Sequence, residues 1–229
     1  MKTSLIVLLP LLAVSTAISA TYTVDGSSDL WLAGAASGTS ASTNDTLKTA
    51  APFLIPTEIV GGTTYTFSVT GSVSNTPSAS DLAPSPDGNS TRFTWHDAGA
   101  QNGISNIYAP MSSLIGVFLN GDVPLDGDEG VALNFRTIGT NFTTLKPTLN
   151  QVFFIGDGES STGFTQTFVA PTGATRLFLG SMDGYEWNNN SGSFNVEMTV
   201  VPEPATYAAF LGAATLGVVA VRRYRQRKD

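Results

Sequence analysis

The chain of 229 residues contains no cysteine and has a formal net charge of −7, which excludes disulfides, thiolate metal sites and a cysteine nucleophile. Between Thr21 and Val201 five basic residues (Lys48, Arg92, Arg136, Lys146 and Arg176) stand against roughly three times as many acidic ones. Nucleic acid is excluded as a partner, because that affinity rests on Lys and Arg neutralising phosphates; divalent cations and neutral polymers suit such a surface better.

Residues 1–20, MKTSLIVLLPLLAVSTAISA, set Lys2 before an apolar stretch from Leu5 to Val14 and finish on small residues at Ala17 and Ala20. That order is a secretory signal peptide, an apolar N-terminal helix removed on export, so the mature chain is expected to start near Thr21. Residues 21–200 are long enough for one domain with a real core, since a chain of that size removes roughly two-thirds of its unfolded surface from water.

The body reads as strands separated by turn chemistry. TTYTFSVTGSV (63–73) alternates Tyr65, Phe67 and Val69 with Thr and Ser, a period of two, after a Gly61–Gly62 turn. SLIGVFL (113–119) is a near-continuous apolar run, as expected of a strand covered on both faces. Further strands are expected within 150–156, 163–170, 175–182 and 192–200. With no helical period outside the two ends, the fold class is all-β, an antiparallel jelly-roll β-sandwich. Residues 75–91 are rich in Pro, Ser and Asp and read as a long surface loop; 120–130, NGDVPLDGDEG, is a strongly acidic one.

Catalysis finds little support. The body holds a single histidine, His96, read as an exposed loop residue, and no G-x-S-x-G elbow exists to present a serine. Asp122, Asp126, Asp128 and Glu129 supply carboxylates but in one loop, whereas a glycosidase needs two across a cleft. The chain is read as a non-enzyme.

The informative stretch is GSMDGYEWNNNSGSFNVEM (180–198). It sets Asp183 and an irregular turn ahead of Asn188, Asn189 and Asn190, and calcium wants six to eight oxygens from carboxylate, amide and backbone carbonyl groups. Asn189, Asn190 and Gly192 equally suit a tight hairpin, because Asn and Gly tolerate positive φ. Tyr185 and Trp187 flank Glu186 and are the candidates for stacking on a sugar ring; Trp31 and Trp95 are assigned to packing.

The tail begins at Val201. Pro202, Glu203 and Pro204 form an extended, non-helical neck with one anionic handle. Residues 205–221 carry no charge and, as a helix, cover about 25 Å, the lower limit for a single transmembrane span. Arg222, Arg223, Arg225, Arg227 and Lys228 follow, and the positive-inside rule puts that cluster in the cytoplasm and the body outside. Ala205, Ala209, Ala213 and Gly217 recur every four residues, which reads either as a helix-packing stripe or as simple alanine richness.

Over residues 201–229 this combination resembles the PEP-CTERM sorting signal of exopolysaccharide-producing Gram-negative bacteria. The resemblance implies an exosortase, a membrane protease, as partner, a transient stay in the inner membrane, and release to the cell surface or the exopolysaccharide matrix in a structural or adhesive role. An ordinary uncleaved single-pass anchor is the alternative.

The body is similar to the PA-IL-like galactose-binding lectins through APMSSLIGVFL, TGFTQTFVAPTGATRLFLGSMDG and NNSGSFNV. That resemblance implies calcium held by Asp183, the Glu186 carbonyl, Asn189 and Asn190, a further carbonyl near Asn75, and two vicinal sugar hydroxyls completing the shell. The turn after Asp183 is one residue shorter than the lectin pattern, and the sugar-contacting His and Gln of the lectin's early loop have no counterpart, so galactose specificity does not carry over.

Overall fold

The computed structural model describes residues 21–36, 39, 51–78, 81, 83, 85–202 and 204–227, without the side chains of 204–211, 213 and 214. The expected signal peptide (1–20), Glu203 and Lys228 lie outside the described residues.

Among the described residues twelve strands form three sheets. The first orders β1 (Thr21–Asp25), β12 (Ser191–Val201), β3 (Thr64–Ser74), β10 (Thr167–Val169) and β8 (Thr144–Leu145) side by side. The second orders β2 (Phe53–Leu54), β11 (Arg176–Ser181), β6 (Leu114–Leu119) and β9 (Val152–Phe154), and the third β4 (Asn89–Trp95), β5 (Ile107–Met111) and β7 (Leu133–Asn134). Pairing is mostly antiparallel, but β8 runs parallel to β10 and β7 to β5, so the sheets are not antiparallel throughout.

Strand β6 is apolar along its whole length because it lies in a middle layer. One of its faces sends Leu114 and Phe118 toward Tyr65, Phe67 and Val69 of β3 and Phe194 and Val196 of β12. Its other face sends Ile115, Val117 and Leu119 into a second cluster with Trp31, Ile107, Phe135 and Trp187. Alternation therefore appears only in the outer sheet, where β3 and β12 keep one wet face, while the covered sheet shows none. Phe118 stacks on Phe153 at 5.1 Å, and Phe168 meets Phe67 edge-on at 5.1 Å. Such pairs add about 0.5–1.5 kcal/mol each beyond their buried area.

Six expected strands are found as β3, β6, β9, β10, β11 and β12. Strand β4 begins inside the stretch expected to be loop, and a single helical turn, α1 (Phe135–Ile138), is too short to leave a period; Asn134 caps it by accepting the Arg136 and Thr137 amides.

Beyond the body a second helix, α2, spans Pro204–Gln226 and carries Arg222, Arg223 and Arg225, with Arg227 just after it; Pro202 precedes it in extended chain. Among the described residues no helix is long and apolar enough to cross a membrane. The helix expected over 205–221 is thus present as a helix, without support as a crossing one.

Candidate functional site

Residues 182–190 connect β11 to β12 and turn over a buried aromatic stack. Trp187 is wholly buried, its Nε1 donates to the Ser181 carbonyl at 2.9 Å, and its ring sits 5.4 Å from Trp31 and 5.5 Å from His96. Drawing that indole inward forces the preceding Glu186 into the left-handed region (φ 64°, ψ 47°), at a cost of about 1–2 kcal/mol for a non-glycine residue. After the tight turn Trp187–Asn189 the Asn190 side chain hydrogen-bonds Asp183, while that of Asn189 reaches back to Glu186.

Two sequence expectations are corrected here. Trp187 is core, so it is no platform for a sugar; Tyr185, 49% exposed, remains available. His96 is no exposed loop residue: it is buried, stacked on Trp31 at 4.0 Å, with Nδ1 2.8 Å from the Gly99 carbonyl. A histidine is amphipathic enough to finish an indole stack while its nitrogen finds a backbone partner, which polarity alone did not reveal.

At the centre lies Asp183, only 4% exposed, whose Oδ1 accepts the Gly184 amide at 2.6 Å. Burial pushes its pKa up to about 6, against the opposing pull of the Gly184 amide, the Asn190 side chain, the Tyr185 amide and the Arg92 guanidinium. The Asn190 Nδ2 also donates to the Gly26 carbonyl at 3.0 Å, and the Asn189 Nδ2 to Glu186 Oε2 at 3.1 Å. With both amide nitrogens committed, the Oδ1 atoms of Asn189 and Asn190 are buried without a hydrogen-bond partner. Leaving such an acceptor unmade costs about 1–3 kcal/mol, so two in one loop beside a buried carboxylate call for an explanation.

The donor set is all oxygen, which fits a hard cation such as calcium. Asp183 and Asn190 are in direct contact, whereas Asn189 joins the group through Glu186. The Glu186 carbonyl already accepts the Asn189 amide at 3.0 Å and keeps its second lone pair. The early loop also arrives: Ser191 Oγ donates to the Thr76 carbonyl at 2.9 Å, which brings the neighbour of Asn75 against the start of β12. Among the described residues no group of three or more His, Cys, Asp or Glu is placed to hold a metal, so any cation here is held chiefly by neutral oxygens.

One residue escaped the sequence reading. The Asp97 amide donates to the Gly184 carbonyl at 2.9 Å, and its Oδ1 lies 3.3 Å from where a Cβ on Gly184 would stand. A second carboxylate thus borders the loop from β4's end, and no local pattern links positions so far apart in the chain.

No family model and no curated protein matches the chain. A solved structure does. It is described as the N-terminal domain of EclA, a PllA-like lectin, with 16% sequence identity and a TM-score of 0.35, over 81% of this chain and 98% of that one. At that distance the likeness carries no residue over to this chain.

Proposed function

We propose that the body is a non-enzymatic carbohydrate-binding domain whose site is the β11–β12 loop, completed by calcium. The observation that carries this reading is the pair of partnerless carboxamide oxygens of Asn189 and Asn190 beside the buried Asp183. A bound calcium ion would supply the positive charge that offsets Asp183 and the open positions that two neighbouring sugar hydroxyls take. Asp183 and Asn190 hold the inner side of the site, Asn189 and the Glu186 carbonyl the outer turn, and Tyr185 offers an exposed ring to the apolar face of a pyranose. Trp187, Trp31 and His96 hold the loop to the core, so the oxygens are arranged before a ligand arrives.

The tail supports a setting for this activity. The neck at Pro202, Glu203 and Pro204 and the cluster Arg222, Arg223, Arg225, Arg227 and Lys228 favour exosortase as partner, passage through the inner membrane, and a matrix-bound role on exopolysaccharide. In that setting a structural, adhesive contribution and sugar binding are one property.

The test is glycan-array binding of the full chain with calcium or with a chelator, alongside its melting curve. A ligand specific for the folded state adds about 2.7 kcal/mol at a hundred times its dissociation constant, so melting is expected to climb with calcium and glycan signals to need it. Melting curves and array signals indifferent to calcium would overturn the reading.

A further inference from the structure

We infer that the chain carries a second saccharide site, away from the β11–β12 loop: a trough around the turn Ser160–Thr165 that takes a segment of neutral, hydroxyl-rich polysaccharide. Two hollows of about 580 Å³ and 240 Å³ share Asn141 and Ser161 in their walls and so adjoin. The larger is lined by Phe164, 74% exposed, and the smaller by Phe93, Asp87 and Glu159.

The exposure of Phe164 is built, not incidental. The Glu159–Thr165 bridge closes the turn, Ser160 donates its amide to the Phe164 carbonyl at 2.8 Å, and Phe164 returns its own amide to Ser160 Oγ at 3.2 Å. Ser161 donates its amide to Asn141 Oδ1 at 2.6 Å, pinning the turn to the opposite wall. The tied turn gives Phe164 a fixed backbone beside the hollow, and its exposed ring is the apolar surface there that a ligand's apolar face would cover.

Chemistry narrows that ligand. The walls mix aromatic rings with hydroxyls, a carboxamide and carboxylate acceptors; the Phe93 ring is already covered by the Arg136 guanidinium at 4.9 Å, which leaves Phe164 as the exposed ring. Asp87 and Glu159 accept from sugar hydroxyls and repel polyanions, as does the chain's net charge of −7. Rings that stack on CH faces beside acceptors for hydroxyls are what a pyranose offers on its two sides.

Nothing in this site uses Asp183, and affinity electrophoresis in the presence of EDTA separates the two sites. The full chain is run through gels containing soluble glucan, galactan, mannan or the polyanion alginate. At least one neutral polymer is expected to retard the wild type without calcium; Phe164→Ala is expected to weaken that retardation at least about tenfold, as loss of an aromatic anchor does. Ser161→Arg, in the wall that both hollows share, is expected to abolish it, and both of these variants are expected to keep the wild-type melting curve; Asp183→Asn, although stabilised in the chelator, is expected to leave the retardation unchanged. No retardation by any neutral polymer, equal retardation of Phe164→Ala and wild type, or retardation by alginate alone would overturn the inference. Binding that vanished with EDTA and with Asp183→Asn would do the same while leaving the calcium site standing.

Discussion

Two acidic loops of this chain look alike in composition and differ in physics. In residues 120–130 each carboxylate accepts a hydrogen bond, three from within the loop and one from a distant turn: Asp122 accepts from Asn120, Asp128 from Leu125, Glu129 from Gly127, and Asp126 from the Gly103 amide. In residues 182–190 one carboxylate is buried and two carboxamide oxygens have no partner. In the first loop each of the four carboxylates already accepts a hydrogen bond and lies where water reaches it, whereas the second holds a buried carboxylate that a cation would offset.

The comparison breaks most visibly at the anchors. Trp187→Ala is expected to cost about 3–5 kcal/mol in chemical denaturation, as a fully buried indole should. Leu125→Ala, at a position 65% exposed in the acidic loop, is expected to stay within about 0.5 kcal/mol. Equal effects would mean that the late loop is no better rooted than the other.

Charge removal comes next. In a chelator at pH 7, Asp183→Asn is expected to raise stability by up to about 3 kcal/mol, the cost of ionising a carboxyl held well above its unfolded pKa. The same change at Asp122, Asp126 or Asp128 is expected to be nearly silent. A destabilised Asp183→Asn would show that its carboxylate is already compensated without a cation.

The sign of the pH dependence sharpens this. Because the folded value of about 6 lies above the ordinary aspartate value of 3.8, the folded chain retains a proton between them that the unfolded chain has released. Stability of the calcium-free chain therefore falls as pH rises from 3.8 toward 6 and levels above it, and Asp183→Asn loses that slope. Calcium affinity moves the other way, weakening by roughly tenfold per pH unit below 6 as the ligand is protonated.

The smallest effect concerns backbone strain. Glu186→Gly is expected to stabilise the chelated chain by about 1 kcal/mol or less, relief of a left-handed residue partly offset by the looser unfolded chain. A loss of stability instead would show that the Glu186 side chain, through Asn189, matters more than its backbone.

How much of this was readable in the sequence follows from range of interaction. Strands β3 and β12 announce themselves by alternation and β6 by its unbroken apolar run, because burial of one face or two is written into neighbouring residues. The third sheet was hidden, since β4 (NSTRFTW) has polar residues at its start and earns its pairing only from β5. Asp183, Glu186, Asn189 and Asn190 were legible because they crowd one loop. Asp97 and the burial of His96 and Trp187 were not, because they depend on Trp31 and on chain folded back from remote positions. Likewise Asn141, Ser161 and Phe164 meet only once β8 lies beside β10.

Isothermal titration of calcium into the full chain at pH 7, wild type against Asp183→Asn, bears most directly on the unmet oxygens. The expected result is saturable heat for about one ion per chain in the wild type and none in the variant. Flat traces for both, or equal binding by both, would contradict the assignment of Asp183, Asn189 and Asn190 as a cation site.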